Sequence, residues 1–255
     1  MRLEGTTIVV TGGASGLGKA AATELARLGA RVLLIDLPSA DGAAAVADIG
    51  GKATFAAADI TSEADVSAAL AIAREMGNVR GLVHCAGRGG DRVRILDRAG
   101  QPGPLESFAD VIRVNLVGTY NVLRLAAALI ADNEPADGDR GAIVLTASVA
   151  AFDGQIGQTA YTAAKAGVHG ITLVAARDLA ARQIRVNTIA PGIFDTPMLG
   201  RLEDRVRESL AATVVHPRRL GQPGDFARLA VELLQNPYLN GETIRLDGGI
   251  RMAPR

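Results

Sequence analysis

The chain has 255 residues, with 27 basic and 27 acidic side chains and a net charge of zero. A neutral chain has no overall electrostatic attraction for nucleic acid or for a membrane surface. The single cysteine, Cys85, excludes an intrachain disulfide framework and favours a reducing compartment. The first apolar run is too short for a secretory signal, and no uninterrupted run reaches the length of a membrane span. We therefore expect a cytoplasmic protein.

The chain opens with the pattern of a βαβ unit. The β-branched run Thr7–Thr11 predicts a buried strand, and the glycine-rich segment TGGASGLG follows it. Apolar residues then recur at helical spacing up to Gly29, which is expected to end the helix. A second apolar run starts at Arg31 and stops at Asp36, which predicts a second strand.

Three glycines suit this first turn to a dinucleotide pyrophosphate. Gly12, Gly16 and Gly18 allow a tight bend, a close approach of phosphate to the backbone, and packing of the helix on the strand. The N-terminus of the following helix supplies free N–H groups and the positive end of its dipole. With Ser15 and Leu17, these glycines are the predicted cofactor-binding residues of the turn.

Asp36 indicates which dinucleotide binds. A carboxylate at the end of the second strand accepts hydrogen bonds from the ribose hydroxyls and repels a 2′-phosphate. Neither Ser15 nor Leu37 offers a basic side chain for that phosphate. The pattern therefore favours NAD over NADP, with Asp36 and Leu37 in the site. The alternative is that Asp36 is a solvated turn residue before Pro38.

Strands and helices continue to alternate to the end of the chain. The predicted strands cover residues 53–58, 81–84, 142–146, 184–190 and 242–246, and the predicted helices cover 39–49, 63–76, 108–129, 161–182, 200–215 and 226–234. This alternation predicts a single α/β domain over residues 1–255, with a doubly wound parallel sheet of seven strands and helices on both faces. We expect the segment around 193–215 to form a lid over the substrate.

The segment SVAAFDGQIGQTAYTAAK contains the candidate catalytic residues. Tyr161 and Lys165 lie one helical turn apart on one face, so an ammonium beside the phenol would lower the pKa of Tyr161 from about 10. Ser148 follows the fifth predicted strand and would hold a substrate oxygen. For a tyrosine and a lysine at this spacing alone, an ordinary exposed helical face is the alternative.

Other residues are candidates with open alternatives. Asn115, inside an apolar helix, is either a structural anchor or part of a water relay. The loop Arg88–Pro104 contains four arginines and is either a solvated flap or a contact for an anionic part of the substrate. Gln155, Phe194 and Leu199 are predicted to line the substrate pocket, with simple packing as the alternative for each of them.

The turn after the fourth strand is expected to lie against the cofactor. Cys85, Ala86 and Gly87 have side chains small enough for a flat ring to approach the backbone. Cys85 is not expected to be a nucleophile, because its neighbour His84 would point to the opposite side of the strand. The three histidines lack ligand spacing, so no metal site is expected.

The motifs together resemble those of the short-chain dehydrogenases/reductases. They occur in that family's order over essentially the whole chain: TGGASGLG, Asp36, Asp59-Ile60, CAG, Asn115, Ser148, YTAAK and the turn Pro191-Gly192. The resemblance implies a Rossmann fold and a homotetramer. It also implies that cofactor is bound by Asp59, Ile60, Tyr161, Lys165, Pro191, Gly192, Phe194 and Thr196.

The resemblance also implies roles for the catalytic set. Ser148 would orient the substrate oxygen and Tyr161 would act as acid and base. Lys165 would lower the pKa of Tyr161 and hold the nicotinamide ribose, and Asn115 would support a relay water. His84 stands where the family usually has asparagine, so the hydrogen bonding around it is expected to differ.

A narrower resemblance bears on the substrate. The segments SVAAFDGQIGQTAYTAAKAG and RVNTIAPGIFDTPML are similar to those of the family's 3-hydroxyacyl-CoA dehydrogenases. This implies NAD-dependent interconversion of (S)-3-hydroxyacyl-CoA and 3-oxoacyl-CoA in fatty acid metabolism. The open alternatives are a hydroxysteroid or secondary-alcohol dehydrogenase, a 3-oxoacyl-carrier-protein reductase, and an NAD-binding scaffold subunit of an RNA-processing complex. Membrane and nucleic-acid partners are not expected.

Overall fold

The computed structural model describes residues 1–197, 199 and 203–254, apart from the side chain of residue 204. The described residues form one sheet of seven parallel strands in the order β3-β2-β1-β4-β5-β6-β7. The strands are β1 (Thr7–Thr11), β2 (Arg31–Asp36), β3 (Ala53–Ala57), β4 (Val79–His84), β5 (Gly141–Thr146), β6 (Ile184–Pro191) and β7 (Thr243–Leu246). The winding reverses between β1 and β4, which confirms the predicted doubly wound Rossmann sheet.

Helices cover both faces of this sheet. Within the described residues they are α1 (Gly16–Arg27), α2 (Gly42–Ile49), α3 (Glu63–Met76), α4 (Leu105–Ile112), α5 (Gly118–Ala131), α6 (Thr159–Ala180), α7 (Asp204–Ala212) and α8 (Pro223–Gln235). Strand β2 shows how the faces divide, because successive side chains point to opposite sides of a strand. Val32 and Leu34 pack in the layer of α1 and α8, while Leu33 and Ile35 pack in the layer of α3 and α5.

Local capping shifts the start of one predicted helix. The prediction began α2 at residue 39, but the helix begins at Gly42. Asp41 accepts a hydrogen bond from the backbone N–H of Ala44 at 3.0 Å and so fixes the first turn. Ser62 caps α3 in the same way by accepting from the N–H of Asp65.

The helix predicted over residues 108–129 is longer and is not uniform. It runs from Leu105 to Ala131 and contains a π-helical turn, Arg113–Val117. By length and composition alone this stretch resembles a membrane span, with a mean hydropathy of 1.4, but half of the window is buried inside the fold. The core helix of a globular domain has the same properties. Turns of the π type occur frequently at functional sites.

The glycines of the first turn bring three backbone segments into contact. Gly12 has a φ of +64°, and a Cβ atom there would lie 2.8 Å from the backbone nitrogen of Ala86. A Cβ atom at Gly18 would overlap the carbonyl oxygen of Gly12. The turn therefore packs against the end of β4 on one side and against α1 on the other, which only glycine permits.

We expect Gly18→Ala to lower the free energy of unfolding by about 1–3 kcal/mol, because the new methyl group must displace backbone. The gain in helix propensity, at most about 1 kcal/mol, is too small to compensate for this overlap. Urea unfolding measures the difference. Gly51→Ala is the matched control, because a Cβ atom there has no neighbour within 4 Å; equal stability of the two variants would contradict the packing argument.

Candidate active site

The carboxyl ends of the central strands bring the predicted catalytic side chains together. Ser148 follows β5 and caps a short 3₁₀ turn, with its Oγ accepting from the N–H of Ala150 at 3.2 Å. Tyr161 lies in the first turn of α6 and shares a hydrogen bond with Ser148. The fold thus joins two residues that are thirteen positions apart in the sequence.

Lys165 lies buried beneath this pair. Its Nζ donates a hydrogen bond to the carbonyl oxygen of Thr146 at 2.8 Å and lies 5.9 Å from the centroid of the Tyr161 ring. Burial lowers the pKa of Lys165 to about 8, because the charged form loses its hydration, and the nearby Cys85 thiol opposes that shift. Lys165 is therefore a desolvated ammonium group within the active site.

The pKa of Tyr161 moves in the direction opposite to our expectation. Burial raises it, and the hydrogen bond from Ser148 is the opposing influence. The expectation that Lys165 lowers this pKa is therefore wrong for this structure. The ammonium of Lys165 faces the ring of Tyr161 and donates its hydrogen bond to the carbonyl oxygen of Thr146 rather than to the phenol oxygen. Ser148 is the group that favours the phenolate here.

Asn115 is a structural anchor in this arrangement. It lies fully buried in the π-helical turn, where its Oδ1 accepts from the N–H of Arg88 at 2.8 Å and its Nδ2 donates to the carbonyl of Arg88 at 2.9 Å. Gly87 leaves room for this pairing, because a Cβ atom there would lie 2.7 Å from Oδ1. The side chain thus fixes the start of the loop after β4. The relay-water role remains a prediction.

The predicted cofactor residues meet at the same edge of the sheet. Asp36, at the end of β2, accepts a hydrogen bond from the N–H of Ala14 at 3.1 Å, so its carboxylate is held against the glycine turn. Gly16 faces Thr196, whose side chain would lie 3.7 Å from a Cβ atom at Gly16. Gly16 has a φ of +52°, which favours glycine. A glycine turn bordered by a fixed carboxylate fits a dinucleotide.

The remaining cofactor candidates have structural contacts of their own. The carboxylate of Asp59 accepts from both the N–H and the hydroxyl of Thr61, each at 2.8 Å. Ile60 is buried in the core, and Leu37 is 48% exposed beside Asp36. Pro191 ends β6, and Gly192 lies against Asp247, where a Cβ atom would come within 2.8 Å. Cofactor contact by these residues remains a prediction.

The arginine-bearing loop is packed against the active site at its start. Asp91 forms an ion pair with Arg88 and accepts from the hydroxyl of Ser107 at 2.7 Å. Gly90 lies against the catalytic tyrosine, because a Cβ atom at this glycine would lie only 3.0 Å from the Cβ atom of Tyr161. Further along the loop, a concavity of 400 Å³ is lined by Arg92, Val93, Arg94, Asp97, Arg98, Pro102, Gly103 and Pro104.

Comparison with known proteins agrees with this geometry. The family model for short chain dehydrogenase matches residues 6–207. The 3-hydroxyacyl-CoA dehydrogenase type-2 of Drosophila melanogaster is 52% identical over 96% of this chain and 97% of its own length. The protein of the same name from Bos taurus is 51% identical over 99% of this chain and 97% of its own.

The crystal structure of 3-hydroxyacyl-CoA dehydrogenase type-2 from Mycobacterium avium matches with a TM-score of 0.93 and 47% identity, covering 98% of this chain and 97% of the other. The chain belongs to the short-chain dehydrogenase family. It is therefore an oxidoreductase that acts on a CH–OH group, and its family generally uses nicotinamide dinucleotides.

His84 is where this short-chain dehydrogenase departs from the family's usual asparagine. Its Nδ1 lies 2.7 Å from the hydroxyl of Thr11, and its Nε2 lies 2.9 Å from the hydroxyl of Thr119. The hydroxyl hydrogen of Thr119 is donated to the carbonyl oxygen of Asn115 at 2.8 Å, so the Thr119 oxygen accepts from Nε2–H of His84. Nδ1 of His84 then carries no hydrogen and accepts from the hydroxyl of Thr11. Sequence reasoning missed the hydrogen bonds that connect His84, Thr119 and Asn115, although Thr119 stands one helical turn after Asn115.

Cys85 has the properties expected of a packing residue. Burial raises the pKa of its thiol to about 12, while the Thr146 hydroxyl and the Lys165 charge act in the opposite direction. A thiol with such a pKa is almost fully protonated at neutral pH and is a poor nucleophile. Among the described residues, no group of three or more histidine, cysteine, aspartate or glutamate side chains could hold a metal ion.

The three predicted substrate residues make contacts within the protein. Phe194 is buried, with its ring against Gly221, which indicates packing. Gln155 donates from Nε2 to the carbonyl of Ala253 at 3.0 Å, and Leu199 is half-buried with its N–H bonded to Thr196. Their contacts with substrate remain predictions. Of the predicted lid, residues 198 and 200–202 lie outside the described residues.

The burial of His84 predicts a pH dependence of stability. Burial lowers its pKa from 6.5 to about 3, so the unfolded chain binds more protons than the folded protein between these values. This contribution to stability is complete above pH 6.5 and is lost as the pH falls toward 3. We expect His84 to account for a loss of about 3 kcal/mol between pH 7.5 and pH 4.5.

Urea unfolding at several pH values measures this loss. His84→Asn should flatten the pH dependence by that amount, because asparagine does not titrate. His169→Asn, at an exposed position, is the control for replacing a histidine elsewhere in the chain. Equal slopes for wild type and His84→Asn would contradict the assignment.

Proposed function

We propose that this short-chain dehydrogenase catalyses the NAD-dependent interconversion of (S)-3-hydroxyacyl-CoA and 3-oxoacyl-CoA. The observation that carries the proposal is the hydrogen-bonded pair Ser148 and Tyr161 above Lys165. It occurs in a chain that is about half identical, over nearly its full length, to proteins named 3-hydroxyacyl-CoA dehydrogenase type-2. An acyl-CoA is accordingly the proposed small-molecule substrate, and fatty acid metabolism the proposed setting.

The catalytic residues have distinct roles in this reaction. Bound NAD would supply the acceptor for the hydride of the hydroxyl-bearing carbon. The Ser148 hydroxyl donates a hydrogen bond to the substrate oxygen. Burial raises the pKa of Tyr161 and favours its phenol form, which gives its proton to the carbonyl oxygen of the 3-oxoacyl-CoA. In the oxidative direction the phenolate of Tyr161 takes the hydroxyl proton. General base catalysis of this kind contributes about 10²–10⁴-fold to the rate. Lys165, held by the Thr146 carbonyl, places positive charge beside the tyrosine ring. It is the residue that would hold the nicotinamide ribose.

Asp36 supports the choice of NAD over NADP. Its carboxylate is fixed at the end of β2 by the N–H groups of Ala14 and Leu37. Fixed in this way, it can accept hydrogen bonds from an adenosine ribose and would repel a 2′-phosphate at the same place. Neither Ser15 nor Leu37 is basic, so the charge that NADP requires is missing at these positions.

The arginine-lined concavity supports an acyl-CoA as substrate. Arg92, Arg94 and Arg98 surround it, with Asp97 as the acid in its lining. The Asp97 carboxylate accepts from the backbone N–H groups of Ala99 and Gln101, at 2.8 and 2.9 Å. Guanidinium groups form strong hydrogen bonds with phosphate, and CoA contains three phosphate groups. We propose that this loop is a substrate contact rather than a solvated flap.

The rival functions are less well supported. A hydroxysteroid or secondary-alcohol dehydrogenase would use the same catalytic residues but would have no need of the arginines. A 3-oxoacyl-carrier-protein reductase that favours NADPH would need a basic residue near Ser15 or Leu37. A scaffold subunit of an RNA-processing complex would not need Ser148, Tyr161 and Lys165 together, and a net charge of zero gives nucleic acid no overall attraction.

Assembly and location complete the proposal. Apolar side chains stand exposed on α4, the π-helical turn, α5 and α6: Phe108, Val117, Tyr120, Leu173 and Val174. Exposed apolar surface of this kind favours self-association, and it supports the homotetramer that the family resemblance implies. The single unpaired cysteine supports the cytoplasm.

The first experiment tests the chemistry. Tyr161→Phe should lower kcat for NADH formation from (S)-3-hydroxybutyryl-CoA by at least about 10²-fold, since the proton acceptor is lost. Binding of NAD, measured by fluorescence titration, should be nearly unchanged. Tyr238→Phe, at a side chain that is 98% exposed, is the matched control and should behave as wild type.

Turnover of Tyr161→Phe near the wild-type rate would rule out its role as acid and base. The same assay over acyl-CoAs, hydroxysteroids and simple secondary alcohols separates the substrate classes. Wild-type protein that oxidises alcohols or steroids but no acyl-CoA would reject the acyl-CoA assignment.

The second experiment tests the cofactor. Asp36→Ala removes the carboxylate that discriminates against a 2′-phosphate, so the ratio of kcat/KM for NAD to that for NADP should fall about tenfold or more. Asp41→Asn keeps the cap of α2 and removes a charge near Asp36 in the sequence, so it controls for charge alone. If the ratio is the same in wild type and Asp36→Ala, Asp36 does not select the cofactor.

A further inference from the structure

The loop of residues 152–158 joins the two halves of the catalytic set. It follows the 3₁₀ turn that Ser148 caps and leads directly into α6. The carbonyl of Gln158 accepts from the N–H of Thr162 at 2.7 Å, next to Tyr161. The loop also contains Gln155, a predicted substrate residue. The loop therefore carries a predicted substrate contact between the two catalytic segments.

The C-terminal tail, residues 248–254, holds one side of this loop. The N–H of Ile156 donates to the carbonyl of Pro254 at 3.0 Å. The Nε2 of Gln155 donates to the carbonyl of Ala253, also at 3.0 Å. Both acceptors belong to the tail, so the tail fixes the loop through one backbone group and one side chain.

Arg245, on the edge strand β7, connects the loop and the tail a second time. Its guanidinium forms two hydrogen bonds with the carboxylate of Asp153, at 2.6 and 3.3 Å, and lies 5.2 Å over the ring of Phe152. The same group donates to Asp247 at 2.8 Å and to the carbonyl of Ile250 at 2.9 Å. This side chain is only 19% exposed, so its bonds are poorly screened by solvent.

The arginine-bearing loop contacts the loop of residues 152–158 at Gly157. Gly157 has a φ of +84°, and a Cβ atom there would lie 2.9 Å from the carbonyl oxygen of Arg92. Arg92 lines the concavity proposed for the CoA part of the substrate. The loop of residues 152–158 is therefore held between the tail and this proposed substrate contact.

We propose that the C-terminal tail, together with Arg245, is a positioning element that sets the affinity of this enzyme for its acyl-CoA substrate. It acts by holding the loop of residues 152–158 against the arginine-bearing loop. The proposal rests on the function proposed above. The tail bonds to Gln155 and Ile156 rather than to Ser148 or Tyr161, so its effect is on substrate binding and not on the chemical step.

A chain that ends at Met252 tests the proposal. It lacks the carbonyl groups of Ala253 and Pro254, and the loss of two hydrogen bonds of ordinary strength should raise KM for (S)-3-hydroxybutyryl-CoA about tenfold. The value of kcat should stay within about twofold, and the dissociation constant of NAD should not change. Arg255→Ala changes the tail but keeps the amide carbonyl groups of Ala253 and Pro254, so this full-length variant is the matched control.

Hydrogen exchange reports directly on the bonds. The amide of Ile156 should exchange about tenfold faster in the chain that ends at Met252 than in the control, while amides of the central strand β5 keep their protection. Asp153→Asn weakens the contact with Arg245 without shortening the chain. It should raise KM in the same direction, again with little change in kcat.

Three results would overturn the proposal: an unchanged KM, an unchanged exchange rate at Ile156, or an equal loss of NAD affinity and thermal stability in the shortened chain. The last would mean that the tail supports the whole fold. The substrate oxidised by the wild-type protein distinguishes failure of this proposal from failure of the proposed function. If wild type oxidises only another alcohol, the same KM comparison is made with that alcohol.

Discussion

Close contact of backbone segments at the glycine turn is the constraint on which the rest of this structure depends. Gly12 lets the end of β1 lie against Ala86 after β4, and Gly18 lets α1 lie against Gly12. A side chain at either position would separate these segments. The contact places the N-terminus of α1, the Asp36 carboxylate and the start of the arginine-bearing loop at one edge of the sheet, where parallel strands present ligand sites.

Burial determines the electrostatics of that edge. Loss of hydration disfavours the charged forms of His84, Cys85, Lys165 and Tyr161 alike, so the pKa values of the two bases fall and those of the two acids rise. Backbone carbonyls and threonine hydroxyls satisfy the polar atoms of the two bases. The site is therefore a desolvated hydrogen-bond network in which the Ser148 hydrogen bond favours the phenolate of Tyr161.

The substrate side is organised by elements that are distant in the sequence. The loop between Ser148 and α6 lies between the C-terminal tail and the arginine-bearing loop, and Arg245 bonds to both the loop and the tail. The acid-base residues stand on rigid elements, the end of β5 and the first turn of α6. The binding surface is built on connecting segments, which vary more readily than the scaffold.

The sequence by itself determined the order of strands and helices, because apolar periodicity and glycine positions are local signals. It also predicted Ser148, Tyr161 and Lys165 as one set, because their spacing combines with the glycine turn and Asp36 in the order of a known family, and the structure brings the three residues together. The cap of α2 and the π-helical turn were missed, as they depend on single hydrogen bonds, whereas the Ser62 cap of α3 was predicted. Only the tertiary structure decided the pKa direction of Tyr161, the partners of His84 and the contacts of the tail. Each of these arises from burial or from bonds between segments that are far apart in the chain.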